Sequence, residues 1–92
     1  MVIWKFPLAL ALAPMTIRVP RGGRLLTMQL QDRRPVLWFL VDDSVPDEAR
    51  TFRFCMTGEA DLPDQFKAAP YCGTVQAVGL VWHLFEVTDC AR

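Results

Sequence analysis

Ninety-two residues, 52% of them apolar and 11% aromatic, suffice for one packed core and exclude an intrinsically disordered chain. Ten basic and ten acidic side chains cancel to a formal net charge of zero. That balance excludes a global field drawing the chain to nucleic acid or an anionic membrane. Residues 1–92 read as a single domain.

Alternation of apolar and polar residues, the period of strands, dominates the chain. Val2, Trp4 and Phe6 lie on one side of a first strand, with Lys5 on the other. The apolar run Leu8–Ala13 is flanked by Pro7 and Pro14 and has a poor basic lead-in. It reads as a connector rather than a secretory leader, and no segment approaches the roughly 20 apolar residues of a membrane helix. Met15, Ile17 and Val19 alternate with Thr16 and Arg18, and Pro20-Arg-Gly-Gly23 turns the chain. Leu26, Met28 and Leu30 then share one face, with Thr27, Gln29 and Gln31 on the other, and Asp32-Arg-Arg-Pro35 closes a hairpin.

Val36–Val41 is apolar on both faces and predicts a central strand. A polar connector, 42–50, follows, in which Pro46-Asp-Glu-Ala49 is compatible with one helical turn. Thr51–Met56 alternates again, and 58–70 is irregular, with a short helix expected at Asp64–Ala69. Two runs, 71–77 and 80–87, meet at Gly79, with Leu80, Trp82 and Leu84 facing one way and Val81, His83 and Phe85 the other. The expected fold is all-β: an antiparallel meander of about seven short strands forming a small barrel or sandwich, with at most one short helix.

The zero net charge conceals a segregation. Residues 1–34 carry a net of +5 and residues 42–64 a net of −5. Either the two sets solvate opposite rims, or they make a bipolar surface that docks an anion or an acidic partner. Pro20-Arg-Gly-Gly-Arg24 is the most phosphate-like element, because glycines let backbone amides approach an anion and Arg21 and Arg24 add charge. The plain alternative is a hairpin turn. Arg33 and Arg34 could join them, although in an up-down arrangement the third strand separates the two pairs.

Catalytic handles are few. His83 is the only histidine and has no carboxylate or nucleophile at a telling spacing, so it reads first as a core or near-core residue. Three cysteines, Cys55, Cys72 and Cys90, are an odd number with no C-x-x-C pair, which points to a reducing compartment and away from a zinc site. Asp42-Asp43 reads as a solvated turn, and Ser44, the only serine, lacks the flanking glycines of a nucleophile elbow. No enzyme, metal or cofactor is expected. Ten aromatics exceed what so small a core encloses, so a second apolar face is covered by segment 58–70, by a second copy of the chain or by a hydrophobic partner.

Ile3-Trp-Lys-Phe6, Val19-Pro-Arg-Gly22, Leu37-Trp-Phe-Leu-Val-Asp42, Tyr71-Cys-Gly-Thr-Val-Gln76 and Val81-Trp-His-Leu-Phe-Glu86, in this order, resemble a family of small proteins of unassigned function encoded by tailed bacteriophages and prophages. The family's glycine-threonine-glycine turn after the fifth strand is replaced here by Met56-Thr-Gly-Glu59, and no ligand role is carried over to it. The resemblance implies an accessory role in the host bacterial cytoplasm and no reaction.

The function expected is that of a non-enzymatic binding protein. It would act as a counter-defence inhibitor of a host protein complex or sequester a small anionic ligand such as a nucleotide. Arg21, Arg24, Arg33 and Arg34 are the candidate anion contacts, and Trp38, Trp82 and His83 the candidate apolar or stacking contacts. The alternative is a virion structural or assembly accessory protein. An OB-like nucleic-acid binder ranks third, because phosphate contacts would leave a basic excess.

Overall fold

A computed structural model of the chain describes residues 1–87; Cys90 lies outside the described residues. Seven strands follow in order: β1 Val2–Pro7, β2 Met15–Pro20, β3 Arg24–Gln31, β4 Arg34–Val41, β5 Asp47–Met56, β6 Tyr71–Ala77 and β7 Leu80–Val87. A 3₁₀ turn at Asp64–Lys67 is the only helical element among the described residues. The strands form two antiparallel sheets, β1-β4-β3 and β2-β5-β7-β6, packed as a sandwich. The chain changes sheet after β1, β2 and β4, so only β3–β4 and β6–β7 are hairpins between sequence neighbours. The all-β expectation holds, with more crossing between sheets than a plain meander.

Two boundaries differ from expectation. β5 starts at Asp47, where the sequence is compatible with a helical turn, because Asp47–Arg50 pairs with Pro20–Ile17 of β2. β3 carries a bulge between Leu25 and Thr27, which turns Leu25 toward the core and leaves Leu26 exposed.

β4 supplies Leu37, Phe39 and Val41 to the core from one sheet; Phe52, Phe54, Val75, Trp82 and Leu84 come from the other. Phe39 meets Phe6 and Phe52 edge-on, with centroids 5.4 and 6.4 Å apart. Phe54 meets Trp82 at 5.7 Å, and the Trp82 indole N–H donates to the Ala77 carbonyl at 3.1 Å. Each such aromatic or leucine contributes about 1.5–3 kcal/mol through burial. Leu8 of the β1–β2 connector joins this core, and its N–H donates to the Pro35 carbonyl at 2.9 Å.

One ion pair lies among these apolar groups. The Arg50 guanidinium donates to both carboxylate oxygens of Glu86, at 2.7 and 2.9 Å, and to the Gly23 carbonyl at 2.6 Å. Its carbon sits 5.1 Å from the Phe39 ring centroid. Arg50 thus reaches from one sheet to the other.

The β2–β3 turn needs its two glycines for different reasons. Gly22 has φ +78 and open space where a Cβ would stand, so only its backbone conformation favours glycine. Gly23 has no positive φ, but a Cβ there would lie 2.7 Å from Val19 Cγ1 and 3.1 Å from the Pro20 carbonyl oxygen. Urea denaturation should show Gly22→Ala costing about 1 kcal/mol through left-handed strain. Gly23→Ala should cost more, about 1–3 kcal/mol, through overpacking against Val19.

Candidate functional site

The two arginine pairs are not brought together. Arg24 begins β3 and Arg34 follows its far end, with the register running from Arg24↔Leu40 to Gln31↔Arg34. The amides of the β2–β3 turn are also already engaged. Arg21 N–H donates to the Pro46 carbonyl at 2.9 Å and Gly23 N–H to the Pro20 carbonyl at 3.0 Å; Gly22 N–H donates to Glu48 Oε2 at 3.3 Å. A carboxylate of the chain itself occupies the position expected for an external anion. Nor do the basic and acidic segments occupy opposite rims here, because β2 pairs with β5 from Pro20↔Asp47 onward, setting the arginine turn beside Asp47 and Glu48.

Asp42 serves the next turn. Its Oδ1 accepts from the Ser44 N–H at 3.0 Å and from the Ser44 hydroxyl at 2.6 Å, and these bonds hold the carboxyl below its ordinary range.

The three apolar or stacking candidates divide among three environments. Trp82, 7% exposed, is a core residue, and its ring offers no stacking surface to a partner. His83 lies on the outer face of the four-stranded sheet and Trp38 on the outer face of the three-stranded one.

These outer faces are treated differently. Segment 57–70 doubles back across the four-stranded sheet. Phe66 packs on Phe85 at 5.1 Å, and the Arg53 guanidinium stacks over Phe66 at 5.3 Å while pairing with Glu59 at 2.8 Å. Glu59 also accepts from the Met56 N–H at 3.0 Å; that backbone bond, then Arg53, holds its carboxyl below the ordinary range. The Met56-Thr-Gly-Glu59 turn therefore closes on its own glutamate.

On the same face the half-buried His83 ring is flanked by hydroxyls. Thr57 Oγ1 lies 2.7 Å from Nε2, Tyr71 Oη 2.7 Å from Nδ1 and Thr74 Oγ1 3.2 Å from Nδ1. Tyr71 and Thr74 also hydrogen-bond each other. The cluster ties β6, β7 and the end of β5 together across the sheet.

Among the described residues, no helical segment packs over the three-stranded sheet as Asp64–Lys67 does over the other. Partners in register share a face, so Ile3 and Arg24 flank Leu40, Lys5 and Thr27 flank Trp38, and Pro7 and Gln29 flank Val36. Lys5 Nζ donates to Gln31 Oε1 at 2.8 Å, spanning the Val36 row. Val36 is consequently 3% exposed and Ile3 58%. The charged residues of this face, Lys5, Arg24 and Arg34, are all cationic.

A family model described as a domain of unknown function, DUF7352, matches residues 1–91. The chain belongs to the DUF7352 family. No curated protein and no solved structure matches it. Among the described residues of this DUF7352 chain, no group of three or more histidine, cysteine, aspartate or glutamate side chains is arranged to hold a metal ion. Nor is any helix there long and apolar enough to cross a membrane.

Both described thiols, Cys55 and Cys72, are held above their ordinary range. Cys55 is buried, and burial pushes its thiol up. Burial pushes Cys72 up to about 11, with the Glu86 charge adding to the effect. Between the ordinary value near 9.0 and about 11 the native state holds a proton that the unfolded chain has lost, so stability falls as pH rises through that window. The urea midpoint should drop between pH 9 and 11 more steeply in the wild type than in Cys72→Ala. At pH 8 a thiol reagent should label Cys55 and Cys72 only on unfolding, which mass spectrometry of the labelled peptides reads directly.

Proposed function

We propose that this DUF7352 chain is a non-enzymatic binding protein that docks on another protein through the outer face of its β1-β4-β3 sheet. The observation that carries the reading is the unequal cover of the two sheets. Segment 57–70 is spent on one outer face, while Trp38, Leu40 and Ile3 form the apolar centre of the other between Lys5 and Arg24. A half-buried tryptophan with Lys5 beside it and Arg24 in the next row matches the composition of binding hot spots, in which Trp and Arg are enriched.

The absence of acidic residues from these strand rows favours a partner with an acidic, partly apolar surface. The resemblance to phage-encoded proteins gives the setting: an accessory factor in the host cytoplasm that blocks a host protein complex. His83 fits this reading as a structural residue, because hydroxyls engage both of its ring nitrogens.

Immobilised chain incubated with host lysate tests the proposal. A protein retained by the wild type should be lost with Trp38→Glu, whose thermal unfolding must remain cooperative, and kept with Lys67→Glu on the opposite side. With the partner purified, Trp38→Ala should cost at least about 2 kcal/mol of affinity, roughly thirtyfold. Undiminished binding by both Trp38 variants would refute the docking face.

A further inference from the structure

The β3–β4 hairpin contains an arginine where the backbone favours glycine. Asp32 and Arg33, between the paired Gln31 and Arg34, have φ of +52 and +67. Two central residues with positive φ are the signature of a type I′ turn, whose second position is characteristically glycine. The β6–β7 hairpin of this protein follows that rule, with Val78 at φ +49 and Gly79 at +74. Arg33 keeps a side chain under strain that Gly79 avoids.

That side chain lies on a cleft. Arg33 and Arg34 line a concavity of about 460 Å³ with Pro7, Leu8, Leu10 and Pro35. Leu8 and Pro35 are buried, and the bond between the Leu8 N–H and the Pro35 carbonyl fixes this floor. Arg50 and Arg53 are paired with Glu86 and Glu59, and Arg18 reaches the Asp47 carbonyl. The side chains of Arg33 and Arg34 have no hydrogen bond or ion pair with any described residue.

We propose that this cleft binds a small organic phosphate, a phosphate monoester whose dianion is gripped by Arg33 and Arg34 while its apolar body lies on Leu10 and Pro7. Two arginines lining one cleft match a dianion better than a single carboxylate, and each guanidinium offers the fork that phosphate oxygens accept. The volume falls in the range of small-molecule sites, roughly 300–1,000 Å³. Backbone strain at Arg33 is the cost of placing a guanidinium over the cleft. The cleft meets the docking face at Arg34, but Trp38 does not line it, and neither proposal depends on the other.

Calorimetry in phosphate-free buffer tests it with phenyl phosphate, adenosine monophosphate, inorganic phosphate and adenosine. Saturable binding of phenyl phosphate, tighter than that of inorganic phosphate and absent for adenosine, supports the site. Adenosine monophosphate binding more tightly than phenyl phosphate would narrow the ligand to a nucleotide. Arg33→Gly should raise the thermal midpoint, by relieving the turn, while weakening phenyl phosphate at least tenfold. Arg34→Gln should weaken it similarly, and Trp38→Ala should leave it unchanged. No saturable binding at millimolar concentration, full affinity in Arg33→Gly, or loss of binding in Trp38→Ala would each overturn the proposal.

Discussion

Arg50 holds the two sheets in one arrangement. Its guanidinium is bidentate to Glu86 of β7, accepts the Phe39 ring of β4 against its face, and donates to the Gly23 carbonyl in the β2–β3 turn. A partly desolvated pair of this kind adds little net stability when intact, because withdrawing two charges from water offsets their attraction. Removing either partner leaves the other charge stranded, which is costly. The pair therefore specifies sheet packing more than it strengthens it. The Glu86 hydrogen bonds raise the affinity of Arg50 for its proton against the opposing effect of burial, so the cation persists at any ordinary pH.

From this clamp the rest of the surface follows. Fixing Gly23 fixes the turn whose Gly22 amide meets Glu48, which closes the most phosphate-like element of the chain from within. Fixing Phe39 fixes β4, and hence the opposite side of β4, where Trp38 and Leu40 point outward. β4 and β7 are both apolar on two faces, and the chain resolves them differently. β7 is covered by Phe66 and the Arg53–Glu59 pair, while β4 is left to Lys5, Thr27 and Gln29 at its flanks.

Much of the fold was legible because period-two alternation is a local property. Val2-Trp4-Phe6, Phe52-Phe54 and Trp82-Leu84 each announce a strand, and the first two its inner face, without reference to anything distant. Sheet membership was not legible, since β1 pairs with β4 and β2 with β5 across long separations that no local pattern encodes. The clamp itself left a faint signal: Arg50 continues the alternation of Phe52 and Phe54, and Glu86 that of Trp82 and Leu84. Two charges at inward positions of two strands are candidates to meet, but reading 47–50 as a connector hid the first. Alternation separates Trp82 from His83 but does not tell which face of β7 is inner: Trp82, expected at an interface, is buried in the core, and His83, expected in or near the core, lies on the outer face. The strain at Arg33 became visible only with the backbone angles, because Asp-Arg is not a sequence that signals a type I′ turn.

The central claim, that the Arg50–Glu86 pair couples the sheets, is tested most directly by a double-mutant cycle of Arg50→Gln and Glu86→Gln followed by urea denaturation. Each single substitution should destabilise the chain by about 2–4 kcal/mol, and the double variant should cost little more than either alone, leaving a coupling energy above about 1.5 kcal/mol. Strictly additive losses, with coupling near zero, would contradict the account.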